Sequence, residues 1–375
     1  MSANDKDYRD YVELPEYPIE VVERLSAYLN SPQYSKQIQL PKHWKERERP
    51  NMDAFKILSN KRIFIDPNID SGLSHRYLAN FKAQNNNNSF RNGIEKRIPS
   101  GRWKEKTRLL FLRQILAYSR MLLLRYSGYE VAEAFDPVKH FNKLWPSDSF
   151  LIEVDVKKEF GDVLDPGIWK AAHIYNDLMN IVQSLGIDKD YFLEVGPGTG
   201  ALSRLIKRYQ SDVKITLIDL PQSIPYSFCS LLHAFPSASF YLPNEVESAK
   251  DVFSKELVFL TNQQISKIPR RRYSIGLNST SFAEMRTDAI EKYFRMFRRV
   301  LKEENLFYTF NRIEKMMEYD EGITPIRFLD YPWLPEDLDY KYQLSPIEKG
   351  RTSEPFFVRA CRLATPKNLN ESSAN

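Results

Sequence analysis

Apolar residues are spaced differently in the two halves of the chain, and the first half shows irregular and then helical spacing. Over the first 100 residues, prolines divide the chain into short segments that favour turns and loops. Leucines at intervals of three, four and seven then predict a helix over 104–126. These patterns predict a mainly helical N-terminal region, residues 1–160.

From residue 161 to residue 365, short apolar runs alternate with helical spacing. The runs predict strands at 191–195, 214–218, 239–242, 257–260, 273–277, 306–310 and 356–363. Because strands that alternate with helices usually pair in parallel, the pattern predicts an α/β domain with a mostly parallel sheet covered by helices on both faces. Residues 366–375, rich in Asn and Ser, predict a disordered tail.

Two helices of this domain have recognisable ends. Asp165 suits a helix cap, Pro166 suits the first helical position and Gly186 suits the end of the same helix. Asp288 and Glu291 fit a capping box for a later helix. In the first of these helices, the spacing predicts a buried stripe of Ile174, Leu178, Ile181, Val182 and Leu185.

The composition is that of a folded protein with little electrostatic steering. Hydrophobic residues make up 42% of the chain, which is enough for a sizeable core. The net charge of +5 is no nucleic-acid signature, so no nucleic acid is predicted as a partner. The two cysteines are too few for a disulfide framework, and no apolar run is long enough for a membrane span. These features predict a soluble, cytoplasmic protein.

The most informative segment is the run Glu194-Val195-Gly196-Pro197-Gly198-Thr199-Gly200, between a predicted strand and a predicted helix. Its glycines permit a sharp turn that a ligand can approach without a side chain in the way. Asp219 stands at the end of the next predicted strand, 19 residues after Gly200. Ligands bind at this edge of such sheets, where a carboxylate can accept hydrogen bonds from both hydroxyls of a ribose.

Two cofactors with such a ribose are S-adenosylmethionine and NAD. The spacing Gly196-x-Gly198-x-x-Ala201 fits the dinucleotide fingerprint. Glu194 argues against NAD, because a carboxylate beside the turn repels a pyrophosphate and attracts the sulfonium and amino group of S-adenosylmethionine. Too few strands follow for a six-stranded dinucleotide domain plus a substrate domain. A glycine turn with a purely structural role is the third interpretation.

The segment Leu193–Gly200 resembles the first motif of class I S-adenosylmethionine-dependent methyltransferases, which have a Rossmann-like sheet. Three further segments resemble the sugar O-methyltransferase family, which is associated with gene clusters for bacterial surface polysaccharides. These segments are Ile218–Pro221, Asn278–Met285 and Phe310–Arg312. The resemblance covers roughly residues 165–365 and implies S-adenosylmethionine as the cofactor.

The resemblance also implies which residues hold the cofactor. Asp219 would bind the ribose, Leu220 would lie beside the adenine, and Asn278 would contact the cofactor from the end of the strand predicted at 273–277. The methionine end would be lined by the glycine turn and the acidic residue before it, namely Glu194, Gly196, Pro197, Gly198, Thr199 and Gly200.

On the acceptor side, residues 278–284 would face the reacting methyl group. Ser281 and Asn311 would bind acceptor hydroxyls, although an asparagine at a strand end also simply tolerates a turn. Glu284 and His173 are the candidate general bases. Each has a structural alternative, as a carboxylate that holds the loop and as a histidine satisfied in the core. No His, Asp or Glu cluster has convincing metal spacing, so no metal is predicted.

Together these features predict an S-adenosylmethionine-dependent O-methyltransferase that acts on a sugar hydroxyl of a glycan or of a sugar-containing small molecule. The N-terminal region would cover the acceptor side and help to choose the substrate. Two alternatives stay open: methylation of another hydroxylated metabolite, and a catalytically inactive cofactor-binding partner protein. A homo-oligomer is neither required nor excluded by the sequence.

Overall fold

The computed structural model describes residues 12–14, 16–35, 55–57, 62–65, 166–319, 322–345 and 356–365. The predicted helix over 104–126, most of the N-terminal region and the tail after residue 365 lie outside these ranges. The described parts of the N-terminal region form two helices, α1 (Ile19–Leu29) and α2 (Pro32–Ser35). They also form a three-stranded antiparallel sheet of order β1-β3-β2, with β1 (Val12–Glu13), β2 (Phe55–Ile57) and β3 (Ile63–Ile65).

The described part of the later chain contains an eight-stranded sheet and a separate hairpin. The sheet strands are β4 (Tyr191–Val195), β5 (Lys214–Asp219), β6 (Phe240–Tyr241), β7 (Leu257–Thr261), β8 (Tyr273–Ser279), β9 (Leu301–Arg312), β12 (Leu338–Leu344) and β13 (Phe356–Arg362). Their order is β12-β13-β9-β8-β4-β5-β7-β6, and the six strands from β9 to β6 are parallel. The predicted mostly parallel sheet is confirmed.

The strand order reverses at β4, which pairs with β5 on one side and with β8 on the other. The chain first builds outward through β5 to β7 and then returns to add β8 and β9. At such a reversal, the connections leave the carboxyl ends of two neighbouring strands in opposite directions and open a crevice between them. The glycine turn follows β4 directly, so it lies at this Rossmann-like crevice.

Helices cover both faces of the sheet. The helices are α3 (Pro166–Leu185), α4 (Ala201–Tyr209), α5 (Ile224–Ala234) and α6 (Thr287–Val300). Successive residues of a strand point to opposite faces, so neighbouring residues of one strand contact different helices. Phe192 of β4 packs in one apolar cluster with α3, α4 and α5, whereas Leu193 packs in a second cluster with α6. None of the helices in the described ranges combines the length and the apolar character needed to cross a membrane.

Two sequence predictions about the helices are wrong. Helix α6 begins at Thr287 with Arg286 as its cap residue, and no side chain caps it. Asp288 therefore lies inside the first turn, where its charge suits the helix dipole but cannot make a capping box with Glu291. In α3, Leu185 is 40% exposed, because residues 183–186 at the end of the helix all face solvent, whereas Leu178 packs in the apolar core.

The sequence analysis also missed three strands of the later domain, besides the three short strands of the N-terminal region. The hairpin of β10 (Glu314–Tyr319) and β11 (Gly322–Arg327) and the edge strand β12 carry mostly exposed side chains. Strands that bury few residues lack the apolar run by which buried strands are recognised. Of these three strands, β12 extends the eight-stranded sheet beside β13, whereas β10 and β11 form the separate hairpin.

A buried ion pair joins α6 to the C-terminal part of the domain. The Arg298 guanidinium donates to both carboxylate oxygens of Asp337, at 2.6 and 2.8 Å, and these side chains are 4% and 0% exposed. Arg298 also donates to the carbonyl oxygens of Pro332 and Ala364. The pair lowers the pKa of Asp337 against the effect of burial.

We expect Arg298→Met to lower the free energy of unfolding by about 3–5 kcal/mol, because it leaves the Asp337 charge buried without a partner. Urea unfolding would measure the change. Arg295→Met is the matched control: Arg295 is an exposed residue of the same helix paired with Glu291, and its loss should cost at most about 0.5 kcal/mol. Equal losses in the two variants would contradict a structural role for the buried pair.

Candidate functional site

The turn between β4 and α4 uses glycines in the left-handed backbone region. Gly196, Gly198 and Gly200 have φ values of +70°, +58° and +76°, which disfavour residues with a Cβ atom. The N–H of Gly196 donates to the carbonyl of Ile218 in β5, at 2.8 Å. The N–H of Gly200 closes the turn onto the carbonyl of Pro197, at 2.9 Å.

The turn also lies in close contact with the loop after β8. A Cβ atom at Gly196 would overlap both the Cβ and the Oγ of Ser281. A Cβ atom at Gly200 would lie 3.2 Å from the Cβ of Ser227 in α5, which is tight but less severe. Gly196 is therefore required by its φ angle and by its neighbour together.

Asp219 ends β5 beside this turn and holds the turn with its carboxylate. Its Oδ2 accepts the N–H of Gly198 at 3.1 Å, and its Oδ1 accepts the N–H of Leu220 at 2.8 Å. Burial raises the pKa of Asp219 to about 7, although both hydrogen bonds act in the opposite direction. A carboxylate has about four acceptor positions, so the pair of oxygens can still accept from a ligand.

Glu194 lies on β4, the strand next to Asp219, and is almost completely buried. It accepts the hydroxyl of Ser203, in the first turn of α4. Burial raises the pKa of Glu194 to about 7; the Ser203 bond opposes this, the Asp219 charge adds to it, and the Lys170 cation opposes it. Two carboxyl groups with pKa values near neutrality thus lie at the ends of adjacent strands.

We expect the Glu194 carboxyl to make the protein less stable as the pH rises from about 4.5 to about 7. In this window the unfolded chain has released the proton and the folded protein still holds it, so ionisation favours unfolding. A shift of this size corresponds to about 3 kcal/mol. Glu194→Gln keeps an acceptor for Ser203 and removes the titration.

Urea unfolding at pH 5 and pH 8 would test this expectation. The loss of stability between the two pH values should be smaller in Glu194→Gln than in the parent protein, with the Asp219 contribution present in both. An identical loss in the two proteins would contradict the raised pKa of Glu194.

Two buried asparagines join the carboxyl ends of β4, β8 and β9. The side-chain amide of Asn278 donates to the carbonyl of Val195 at 3.0 Å and to the Oγ of Ser281 at 2.5 Å. The Oδ1 of Asn278 accepts from the amide of Asn311 at 2.9 Å and from the N–H of Phe282 at 3.3 Å. This network fixes the loop after β8 against the glycine turn.

The predicted acceptor-binding residues therefore already have protein partners. Asn311 is fully buried, and its Oδ1 accepts the N–H of Ala283 at 3.3 Å. Ser281 donates its hydroxyl to the carbonyl of Val195 at 3.2 Å. These bonds favour the structural interpretation of Asn311 and leave its acceptor role, and that of Ser281, as predictions.

The two candidate bases lie in different surroundings. Glu284 follows the loop after β8, and its Oε1 accepts from the Lys315 ammonium of β10 at 2.6 Å. His173 is 5% exposed on α3. Within the described ranges, no group of three or more His, Cys, Asp or Glu side chains is arranged to hold a metal ion. The roles of Glu284 and His173 in proton transfer remain predictions.

Lys170 was missed in the sequence, and it contacts Thr280, one of the residues 278–284 that were expected to face the methyl group. The Lys170 ammonium on α3 donates to the Oγ1 of Thr280 at 3.1 Å, and its charge acts on Glu194. Thr280 has φ +65°, rare for a β-branched residue, and its N–H donates to the carbonyl of Phe310 at 2.7 Å. A signal existed, since Lys170, His173 and Asp177 form a polar stripe with helical spacing.

Asn262 is a second residue that the sequence analysis missed. It follows β7, and its N–H donates to the carbonyl of Asp219 at 3.2 Å. Its Oδ1 is buried and has no hydrogen-bond partner among the described atoms. A buried acceptor of this kind, next to Asp219, is suited to a donor that a ligand would supply.

Comparisons with known proteins concern the fold. No protein-family model and no curated protein matches the chain. One similar solved structure is an S-adenosylmethionine-dependent methyltransferase from Clostridium acetobutylicum, with 13% identity and a TM-score of 0.33, covering 60% of this chain and 99% of that one. A TehB-like S-adenosylmethionine-dependent methyltransferase from Corynebacterium glutamicum has 13% identity and a TM-score of 0.32, covering 53% and 100%.

A third solved structure is geranyl diphosphate C-methyltransferase from Streptomyces coelicolor, in complex with Mg²⁺, geranyl diphosphate and S-adenosylhomocysteine. It has 9% identity and a TM-score of 0.33, and the match covers 50% of this chain and 79% of that one. TM-scores this low carry no argument about activity.

Proposed function

We propose that this chain binds S-adenosylmethionine at the β4–α4 turn and transfers its methyl group to an acceptor. One observation carries the proposal: Glu194 and Asp219 lie on adjacent parallel strands beside a left-handed glycine turn, and burial raises both pKa values to about 7. Buried carboxylates with raised pKa values gain stability when a cation or hydrogen-bond donors reach them.

The residues present fit this cofactor better than NAD. S-adenosylmethionine brings a sulfonium and an ammonium group, which favour the ionised forms of Glu194 and Asp219. NAD brings a pyrophosphate, and the Glu194 carboxylate beside the turn would repel it. The close approach of Ser281 to Gly196 further narrows the turn where a pyrophosphate would have to lie.

Each end of the cofactor has a candidate partner. The ribose hydroxyls would donate to Asp219, and Leu220 would lie beside the adenine. The unpartnered Oδ1 of Asn262 would accept from the adenine amino group. Glu194 and the turn from Gly196 to Gly200 would line the methionine end, where backbone N–H groups and the carboxylate can meet the amino-acid group.

The bound cofactor supplies a methyl group on a positively charged sulfur, which is already a good leaving group. The chain's own contribution is to align the acceptor and to take its proton. The Asn278 network fixes the loop that borders the reacting centre, and such positioning can be worth about 7–11 kcal/mol at its best. Glu284 and His173 are the candidates for holding the proton of an attacking hydroxyl.

Isothermal titration of the protein with S-adenosylmethionine, S-adenosylhomocysteine and NAD would test the cofactor. We expect micromolar affinity for the first two and none for NAD. Binding of NAD alone, or of none of the three, would overturn the proposal and return the glycine turn to a structural role.

For the acceptor, we propose a sugar hydroxyl in a glycan or in a sugar-containing small molecule. Its support is the resemblance of Ile218–Pro221, Asn278–Met285 and Phe310–Arg312 to sugar O-methyltransferases. Transfer of a labelled methyl group to a panel of sugars and of non-sugar alcohols would test it. Labelling only of the non-sugar alcohols would favour another hydroxylated metabolite. Cofactor binding without any transfer would favour an inactive partner protein.

A further inference from the structure

The helix α1 of the N-terminal region packs against the turn that follows Asp219. Tyr28 of α1 is fully buried, and its hydroxyl donates to the carbonyl of Pro221 at 2.9 Å. Pro221 lies between Leu220, whose N–H donates to Asp219, and Ser223, the residue before α5. A residue distant in sequence by 193 positions thus holds the turn that carries the proposed ribose site.

Two further contacts fix the same segment to the same side of the domain. The Arg24 guanidinium donates to both oxygens of Glu245, at 2.6 and 2.7 Å, and to the carbonyl of Phe240 at 2.8 Å. It also lies 3.7 Å from the centre of the Phe240 ring. The hydroxyl of Tyr17 donates to the carbonyl of Cys229, within α5, at 3.0 Å.

Among these contacts, the Tyr28 bond is the one that bears on Asp219. Burial raises the pKa of Tyr28, and Tyr34 and the Asp219 charge raise it further. The turn is short, since the N–H groups of Ser223 and Ile224 both donate to the carbonyl of Leu220. A shift of Pro221 would therefore move the Leu220 N–H that orients the carboxylate.

We propose that Tyr28 is a positioning residue of the cofactor site, which holds the Asp219 carboxylate in its ribose-binding orientation through Pro221. This inference rests on the proposed function. It gives the α1 segment a role at the adenosine end of the site, separate from the acceptor selection predicted for the N-terminal region. Because coupling between two sites is reciprocal, a bound adenosine ligand must in turn strengthen the docking of α1.

The test compares Tyr28→Phe with Tyr17→Phe. Both changes keep the ring and remove one hydroxyl that donates to a backbone carbonyl, but only the first acts on the Asp219 turn. We expect Tyr28→Phe to weaken S-adenosylhomocysteine binding about 3- to 10-fold, the worth of one hydrogen bond. Tyr17→Phe should stay within about 2-fold of the parent protein while losing similar stability.

Hydrogen exchange gives a second readout that a merely structural residue would not move. Adding S-adenosylhomocysteine should slow amide exchange over residues 19–29 in the parent protein and in Tyr17→Phe, and should slow it less in Tyr28→Phe. Equal affinities in the two variants, with equal protection of α1, would overturn the inference and leave the cofactor proposal intact. A parent protein that does not bind S-adenosylhomocysteine at all would overturn both.

Discussion

Replacing Asp219 with alanine is expected to weaken the binding of S-adenosylmethionine by about 100-fold or more. The change would remove the two hydrogen bonds that we propose ribose hydroxyls make to this charged acceptor, each worth about 1.5–3 kcal/mol. It also leaves the N–H groups of Gly198 and Leu220 without their acceptor, so the two hydrogen bonds that hold the glycine turn beside the end of β5 are lost. Isothermal titration with S-adenosylmethionine and S-adenosylhomocysteine would measure the loss.

Two further variants serve as comparisons for Asp219→Ala. Asp212→Ala removes an exposed carboxylate just before β5 and should leave binding unchanged. Asp219→Asn keeps the shape and one good acceptor, so its affinity should fall between those of the parent protein and Asp219→Ala. If Asp219→Ala bound the cofactor within 2-fold of the parent protein, the ribose would have to be held elsewhere.

Gly196→Ala should have the largest effect among the glycines of the site. A residue with a Cβ atom costs about 1–2 kcal/mol at φ +70°, and the overlap with Ser281 adds about 1–3 kcal/mol. We therefore expect the free energy of unfolding to fall by about 2–5 kcal/mol, with loss of cofactor binding. Urea unfolding and titration calorimetry would measure the two effects.

Gly186→Ala is the matched control for this change. Gly186 ends α3 with φ +63° and has no atom within 4 Å of the added Cβ, so it reports the cost of the backbone angle alone. Adding Ser281→Gly to Gly196→Ala removes the overlapping side chain and should recover the part of the loss due to overlap. Equal losses of unfolding free energy in the two single glycine variants would mean that the loop after β8 moves away from the added Cβ atom without a loss of stability.

The parallel core of the fold was predictable because its strands are short, apolar and bounded by polar residues. β4, β5, β7 and β8 lie where the runs at 191–195, 214–218, 257–260 and 273–277 placed them. β9 starts at Leu301, five residues before the predicted start. Its first residues include the charged Lys302, Glu303 and Glu304, which interrupt the apolar run that predicts a strand. β10, β11 and β12 escaped prediction because burial, and not backbone pairing, produces the periodic signal, whereas the buried run at 356–363 predicted β13.

The candidate site also has one part that the sequence predicts and one part that it does not. The glycine turn, Glu194 and Asp219 are close in sequence and could be read as a motif, whereas the hydrogen-bond partners of each could not. Asn278 and Asn311 meet because β8 and β9 pair in one particular register, with Asn278 opposite Thr309. Tyr28 reaches the Asp219 turn from a separate region of the chain, and no local pattern specifies such a contact.

The position of β13 has a consequence for how the protein is made. β13 lies between β9 and β12, although it is the last described strand to be synthesised. At about 5–20 residues per second, β9 waits for seconds with one edge unpaired, and an open edge invites pairing with other chains. During this interval β4, β5 and β7 are already paired with both of their neighbouring strands. Asn311 and its hydrogen bonds, in contrast, lie on β9, which is paired on one side only. Synthesis therefore completes the pairing of β4 and β5 beside the glycine turn first, and leaves the open edge of β9 available for pairing with other chains until β13 is made.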